Sequence, residues 1–75
     1  MPKSRDKEYI KKFGSHLRRI RIVKKLSQEE LAFRCGFPLS QIGRFERGER
    51  SPSISSLRTL ARALKLHMRD LFDFD

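Results

Sequence analysis

Residues 27–48, SQEELAFRCGFPLSQIGRFERG, carry enough local punctuation to dictate two short helices joined by a tight turn. Ser27 stands three residues before Glu30, the capping-box arrangement in which each side chain satisfies a backbone N–H at a helix start. Leu26 and Leu31 flank that cap at the spacing of a hydrophobic staple, which fixes the angle of chain entry. Leu31, Ala32 and Cys35 then share a helical face, and Gly36 is the residue that most readily turns left-handed past a helix end. After Phe37 and Pro38 come a second apolar pair, Ile42 and Phe45, and a second stop, Gly48, so the next helix covers roughly residues 39–47.

Two brief helices about a glycine-containing turn make the helix-turn-helix unit, whose second helix can enter the DNA major groove. In its SQEELA opening and SQIGRFERGE centre this stretch resembles the Cro/repressor-type, or XRE, helix-turn-helix family, and the likeness extends over roughly residues 17–72. The resemblance implies an all-α, lambda-repressor-like bundle of five short helices, the second and third forming the DNA-binding unit. Besides Phe33, which stands where the family usually has a polar residue, two cap positions depart from it. Pro38 stands where the family places a capping Ser or Thr and offers no capping oxygen, and Lys65 replaces the glycine that commonly ends the fourth helix.

A chain of 75 residues makes one domain with a thin core, since a chain this short buries only about 60% of its unfolded surface. The expected division is a mobile, mixed-charge arm over residues 1–8 and a single domain over residues 9–75. A lone cysteine rules out an internal disulfide framework, and with no partner at ligand spacing it argues against zinc; Cys35 is expected to pack as a small apolar residue. No apolar run approaches the ~18 residues of a membrane span and no signal-peptide core is present, so a cytoplasmic protein without a membrane partner is expected. No paired carboxylates, nucleophile–base set, metal cluster or phosphate loop suggests an enzyme, a cofactor or a metal.

A net charge of +9 and a pI of about 10.7 call for a polyanionic partner, nucleic acid ahead of an acidic membrane surface. Lys11, Lys12, Arg18, Arg19, Arg21, Lys24 and Lys25 fall within residues 9–25 without one acid, whereas residues 69–75 hold three Asp against one Arg. Ile10, Phe13, Leu17 and Ile20 form the apolar stripe of helix one, with Ile22 and Val23 outside it. Gly14 weakens that helix by about 1 kcal/mol relative to Ala, so its early turns are expected to fray or start late. An arm reaching round DNA would do so with Lys3, Arg5 and Lys7.

For the site, the resemblance implies a structural pair between Arg21 and Glu46, for which a guanidinium's planar fork suits a bidentate carboxylate. Gln28, first after the cap, has a backbone N–H and an amide side chain at the positive end of its helix, a seat for a phosphate, and the resemblance also implies a phosphate clamp there. On the second helix of the unit, subtracting Ile42 and Phe45 leaves Leu39, Ser40, Gly43 and Arg44 as base readers: Leu39 for a thymine methyl, Ser40 for a hydrogen bond, Gly43 for close backbone approach, Arg44 for a bidentate guanine contact. Gln41, Arg47, Arg50 and Ser51 are the expected phosphate contacts. Phe33 is placed at the edge of the core. Helix four starts near Ser53 and carries Ile54, Leu57, Leu60, Ala61 and Leu64 as the other core wall. His16 and His67 show no ligand spacing and read as surface or capping residues.

Leu66, Met68, Leu71, Phe72 and Phe74 exceed what one face of a terminal segment can bury, which points to a homodimer interface, the alternative being that these side chains close the monomer core, as Leu71 is expected to do in part. The function expected is a sequence-specific regulator that binds double-stranded DNA as a dimer on a near-palindromic operator. The alternative is an antitoxin-type or other interaction module that holds a toxin or another protein while its DNA binding is autoregulatory.

Overall fold

The computed structural model describes residues 4–75, with side chains from Asp6 onward. Four α-helices, α1 (Ser4–Val23), α2 (Gln28–Cys35), α3 (Leu39–Glu46) and α4 (Ile54–Ala63), are followed by a 3₁₀ helix over Met68–Phe72, with no strand among the described residues. The fold is thus the all-α, five-element bundle, its fifth element a single 3₁₀ turn rather than an α-helix. His67 starts that turn, its backbone N–H donating to Asp70 Oδ2 at 3.0 Å.

Part of the segment read as an arm is helical, α1 running from Ser4 onward; Met1, Pro2 and Lys3 lie outside the described residues. Asp6 in the first turn suits the positive end of α1, and Asp6, Lys7 and Glu8 are all exposed, so helix propagation rather than burial continues the element here.

Local signals account for the other boundaries. Glu30 N–H donates to Ser27 Oγ at 3.0 Å while Ser27 N–H donates to Glu30 Oε1 at 2.8 Å, a complete capping box. Pro38 caps α3 with no side-chain hydrogen bond, and Ser53 Oγ accepts from Ser56 N–H at the start of α4. All four α-helices end alike: the N–H groups of Leu26, Phe37, Glu49 and Leu66 return to the carbonyls of Arg21, Ala32, Arg44 and Ala61. The residues just before these donors are left-handed, with φ of 60° at Lys25, 73° at Gly36, 73° at Gly48 and 58° at Lys65. This is the Schellman ending. A lysine therefore adopts the glycine conformation at the end of α4.

The core joins Phe13 and Leu17 of α1, Leu31 and Ala32 of α2, Ile42 and Phe45 of α3, Leu60 and Ala61 of α4, and Leu26, Leu64 and Leu71 from the connections and the 3₁₀ turn. Complete burial of each large side chain contributes about 1.5–3 kcal/mol. Two expected core members lie outside. Phe33 is 88% exposed because it follows Ala32 round the helix onto the outer face, and Ile54 is 79% exposed because it opens the first turn of α4, off the packed face.

Gly14 does not fray its helix. It is buried where α1 crosses α3, and a Cβ built on it would overlap the carbonyl of Phe45 and stand 2.6 Å from that of Glu46. The glycine trades helix propensity for backbone-on-backbone contact between the two helices.

Candidate nucleic-acid interface

α3 owes its pose to that crossing and to a buried ion pair. Arg21 on α1 and Glu46 at the end of α3 are 8% and 6% exposed. Arg21 Nε donates to Glu46 Oε2 at 2.7 Å and its Nη2 to Oε1 at 3.1 Å, while Nη1 donates to the Leu26 carbonyl at 2.8 Å. Both charges are desolvated, and the two parallel bonds plus the carbonyl contact compensate them. Gln28 joins this network, its Nε2 donating to Glu46 Oε1 at 3.0 Å. The side chain suggested as a phosphate seat is thus half-buried and braced from inside, and its backbone N–H, in the first turn of α2, has no intrahelical partner.

With Ile42, Phe45 and Glu46 turned inward, Leu39, Ser40, Arg44 and Arg47 form the exposed face of α3, with Gln41 half-buried beside them. Gly43 lies beneath the exposed side chain of Arg47: its own surface is buried, and a Cβ there would meet Nη1 of Arg47 at 2.8 Å. Arg47 lies one turn later, and its side chain leans back over the gap that the missing Cβ leaves. The Arg47 guanidinium is also held by Glu49, Nε to Oε2 at 2.8 Å and Nη2 to Oε1 at 3.2 Å. That bond lowers the Glu49 carboxyl below its ordinary range and raises Arg47 above its own. Glu49 went unnoticed in the sequence reading, although the Arg-Gly-Glu run brings the two charges close. Arg50 and Ser51 are exposed on the loop that follows.

The residues assigned to a dimer interface are not gathered on one surface. Leu71 is fully buried within the protomer, because the 3₁₀ turn folds back on the core. Phe74 packs on α1, its ring centroid 5.2 Å from Tyr9 and 5.4 Å from His16. His16 Nε2 donates to the Asp70 carbonyl at 2.9 Å and ties α1 to the terminal turn. Phe72 lies 5.5 Å from Phe13, in a cleft shared with Tyr9, Ile10 and Leu57. Leu66 lines a separate cleft with Ile20 and Val23, the latter 73% exposed, and Met68 is half-buried against the core.

Cys35 is half-buried, and burial pushes its thiol up to about 11, so it packs rather than reacts. Among the described residues no group of His, Cys, Asp and Glu could hold a metal ion, and no helix is long and apolar enough to cross a membrane.

A helix-turn-helix family model matches residues 17–71. The control protein C.BamHI of Bacillus amyloliquefaciens is 40% identical over 63 residues, covering 83% of this chain and 78% of its own. The HTH-type transcriptional regulator y4dJ of Sinorhizobium fredii is 43% identical over 51 residues, covering 68% of this chain and 66% of its own. Among solved structures, the restriction-modification controller protein C.AhdI of Aeromonas hydrophila superimposes with a TM-score of 0.82 at 46% identity, covering 84% of this chain and 96% of that one. The clp gene regulator ClgR of C. glutamicum superimposes at 0.79 with 25% identity, covering 84% and 82%. With α2 and α3 set as a helix-turn-helix and the family match spanning most of its length, this chain belongs to the XRE-type helix-turn-helix family of DNA-binding transcription regulators, which are not enzymes.

Proposed function

We propose that this protein is a cytoplasmic regulator of the restriction-modification controller type, binding a near-palindromic operator as a homodimer with α3 of each protomer in the major groove. The exposed face of α3 carries this reading: Ser40 and Arg44 stand one turn apart beside Leu39, on a helix anchored from behind by the Arg21–Glu46 pair. A fixed helix holds its readers in register with base edges. Arg44 reads a guanine bidentately, Leu39 packs on a thymine methyl, and Ser40 hydrogen-bonds an adjoining base or phosphate. Gln28, Gln41, Arg47, Arg50 and Ser51 contact phosphates, and Gly43 lets the DNA approach once Arg47 swings from its place over it. Pairing of protomers uses the cleft of Ile20, Val23 and Leu66 rather than the buried Leu71. The solved relative named as a restriction-modification controller protein, and the control protein C.BamHI beside it, support the subtype.

In vitro selection of duplex DNA from a random pool tests this. The expected product is a two-fold motif with half-sites one helical turn apart, about 34–36 Å. Arg44→Ala is expected to cost about 1–3 kcal/mol at its cognate base pair and little on random DNA. A pool without an enriched motif removes the regulator reading, and a motif with one unpaired half-site removes the dimer.

A further inference from the structure

α1 and the loop after α3 close on a cleft of about 570 Å³ lined by Lys7, Ile10 and Lys11 on one side and residues 48–51 on the other. Gly48 makes the close approach possible. Its φ is 73°, and a Cβ built there would lie 2.8 Å from the Lys11 Cα, which is backbone and cannot swing aside. Lys11 is therefore fixed against the loop that leaves the recognition helix. Lys7, one turn earlier on the same helical face, is carried with it. Lys7, Lys11 and Arg50 are exposed, and the acid in the lining, Glu49, already has both carboxylate oxygens engaged by Arg47. Three cations and the Ser51 hydroxyl thus line one concavity, together with the apolar Ile10, beside the loop that leaves α3.

We propose that this cleft seats the phosphodiester backbone flanking the bases that α3 reads, with Lys7 and Lys11 of α1 joining Arg50 and Ser51 as phosphate ligands. The inference rests on the reading of this protein as a duplex-DNA binder and adds a second element to its footprint. Because Ser4–Val23 is a continuous helix braced on Gly48, the first half of α1 acts as a rigid clamp beside the recognition helix rather than as a loose arm. Ammonium groups on flexible stems suit phosphate oxygens and carry no sequence information, so the cleft sets affinity and register, not base choice.

The test compares Lys7→Ala/Lys11→Ala with Lys12→Ala/Arg62→Ala, a pair of equal charge whose members are exposed and lie outside the cleft, on the selected operator across a salt series. Each phosphate contact contributes about 0.9 to the log–log salt slope, so the first pair is expected to flatten it by about 2. It should also weaken operator and random DNA by the same factor, with loss of ethylation interference at the outer phosphates, while the control pair keeps its slope and interference pattern. Ala at position 11 retains the Cβ beside Gly48; should the double variant melt early, Lys7→Glu alone, at an exposed site, must still lower affinity and remove the outer interference. Equal flattening by both pairs reduces the effect to long-range charge and overturns the cleft. An unmodified protein that enriches no DNA overturns the DNA-binding reading itself, and the cleft with it.

Discussion

Gln28 Nε2 donates to Glu46 Oε1 across 3.0 Å, and that same oxygen accepts from Nη2 of Arg21. One buried carboxylate thereby holds α1, the first turn of α2 and the last turn of α3. Glu46→Ala strands the guanidinium of Arg21 in the interior and is expected to cost about 3–5 kcal/mol in urea denaturation. Gln28→Ala removes one hydrogen bond and should cost about 1 kcal/mol. Equal losses from the two would contradict the arrangement.

Gly14→Ala should reverse the usual order of helix propensity. In an exposed helix the change gains about 1 kcal/mol. Here the new methyl meets the Phe45 and Glu46 carbonyls, which belong to the backbone, and overpacking of this kind costs about 1–3 kcal/mol. Chemical denaturation settles the sign, and a gain in stability would mean that the crossing of α1 and α3 is looser than described.

Lys65→Gly is expected to stabilise. Lys65 is exposed with φ of 58°, where a side chain costs about 1–2 kcal/mol that glycine avoids, partly offset by the greater freedom of glycine in the unfolded chain. The net gain should be about 0.5–1 kcal/mol, read as a rise in Tm. Lys65→Ala, which keeps the Cβ, should not reproduce it.

Acid should destabilise the fold through its caps and pairs. The Ser27 backbone N–H, and then its hydroxyl, hold the Glu30 carboxyl below its ordinary 4.5, and Arg47 does the same for Glu49. A depressed folded-state pKa gives stability that is full above 4.5 and is lost as pH falls through the lowered value. Melting temperature is therefore expected to fall on acidification below that point. Glu30→Gln, which can still complete the capping box, should show a shallower fall than the unmodified protein.

What the sequence made legible lay within three or four residues of its cause. Ser27 with Glu30, Gly36, and Ser53 ahead of α4 mark boundaries because caps act through the nearest turn. Arg21 and Glu46 lie far apart in the chain, and only the resemblance to a family brought them together before the structure did. Gly14 was read as a weak point because its benefit depends on α3, which no local pattern reveals. Residues 4–8 gave no apolar period because that part of α1 shows no buried face at Asp6, Lys7 and Glu8. The terminal apolar residues were legible as apolar but not as inward or outward: Leu71 faces the core while Phe72, its neighbour, is 37% exposed.

The crossing at Gly14 has a bearing on how this protein can change its target. Because α3 rests on α1 through main-chain atoms at Phe45 and Glu46, its angle is indifferent to the identity of the side chains on its outer face. Under the proposed reading, exchanging Leu39, Ser40 and Arg44 together changes operator preference without resetting the helix that presents them.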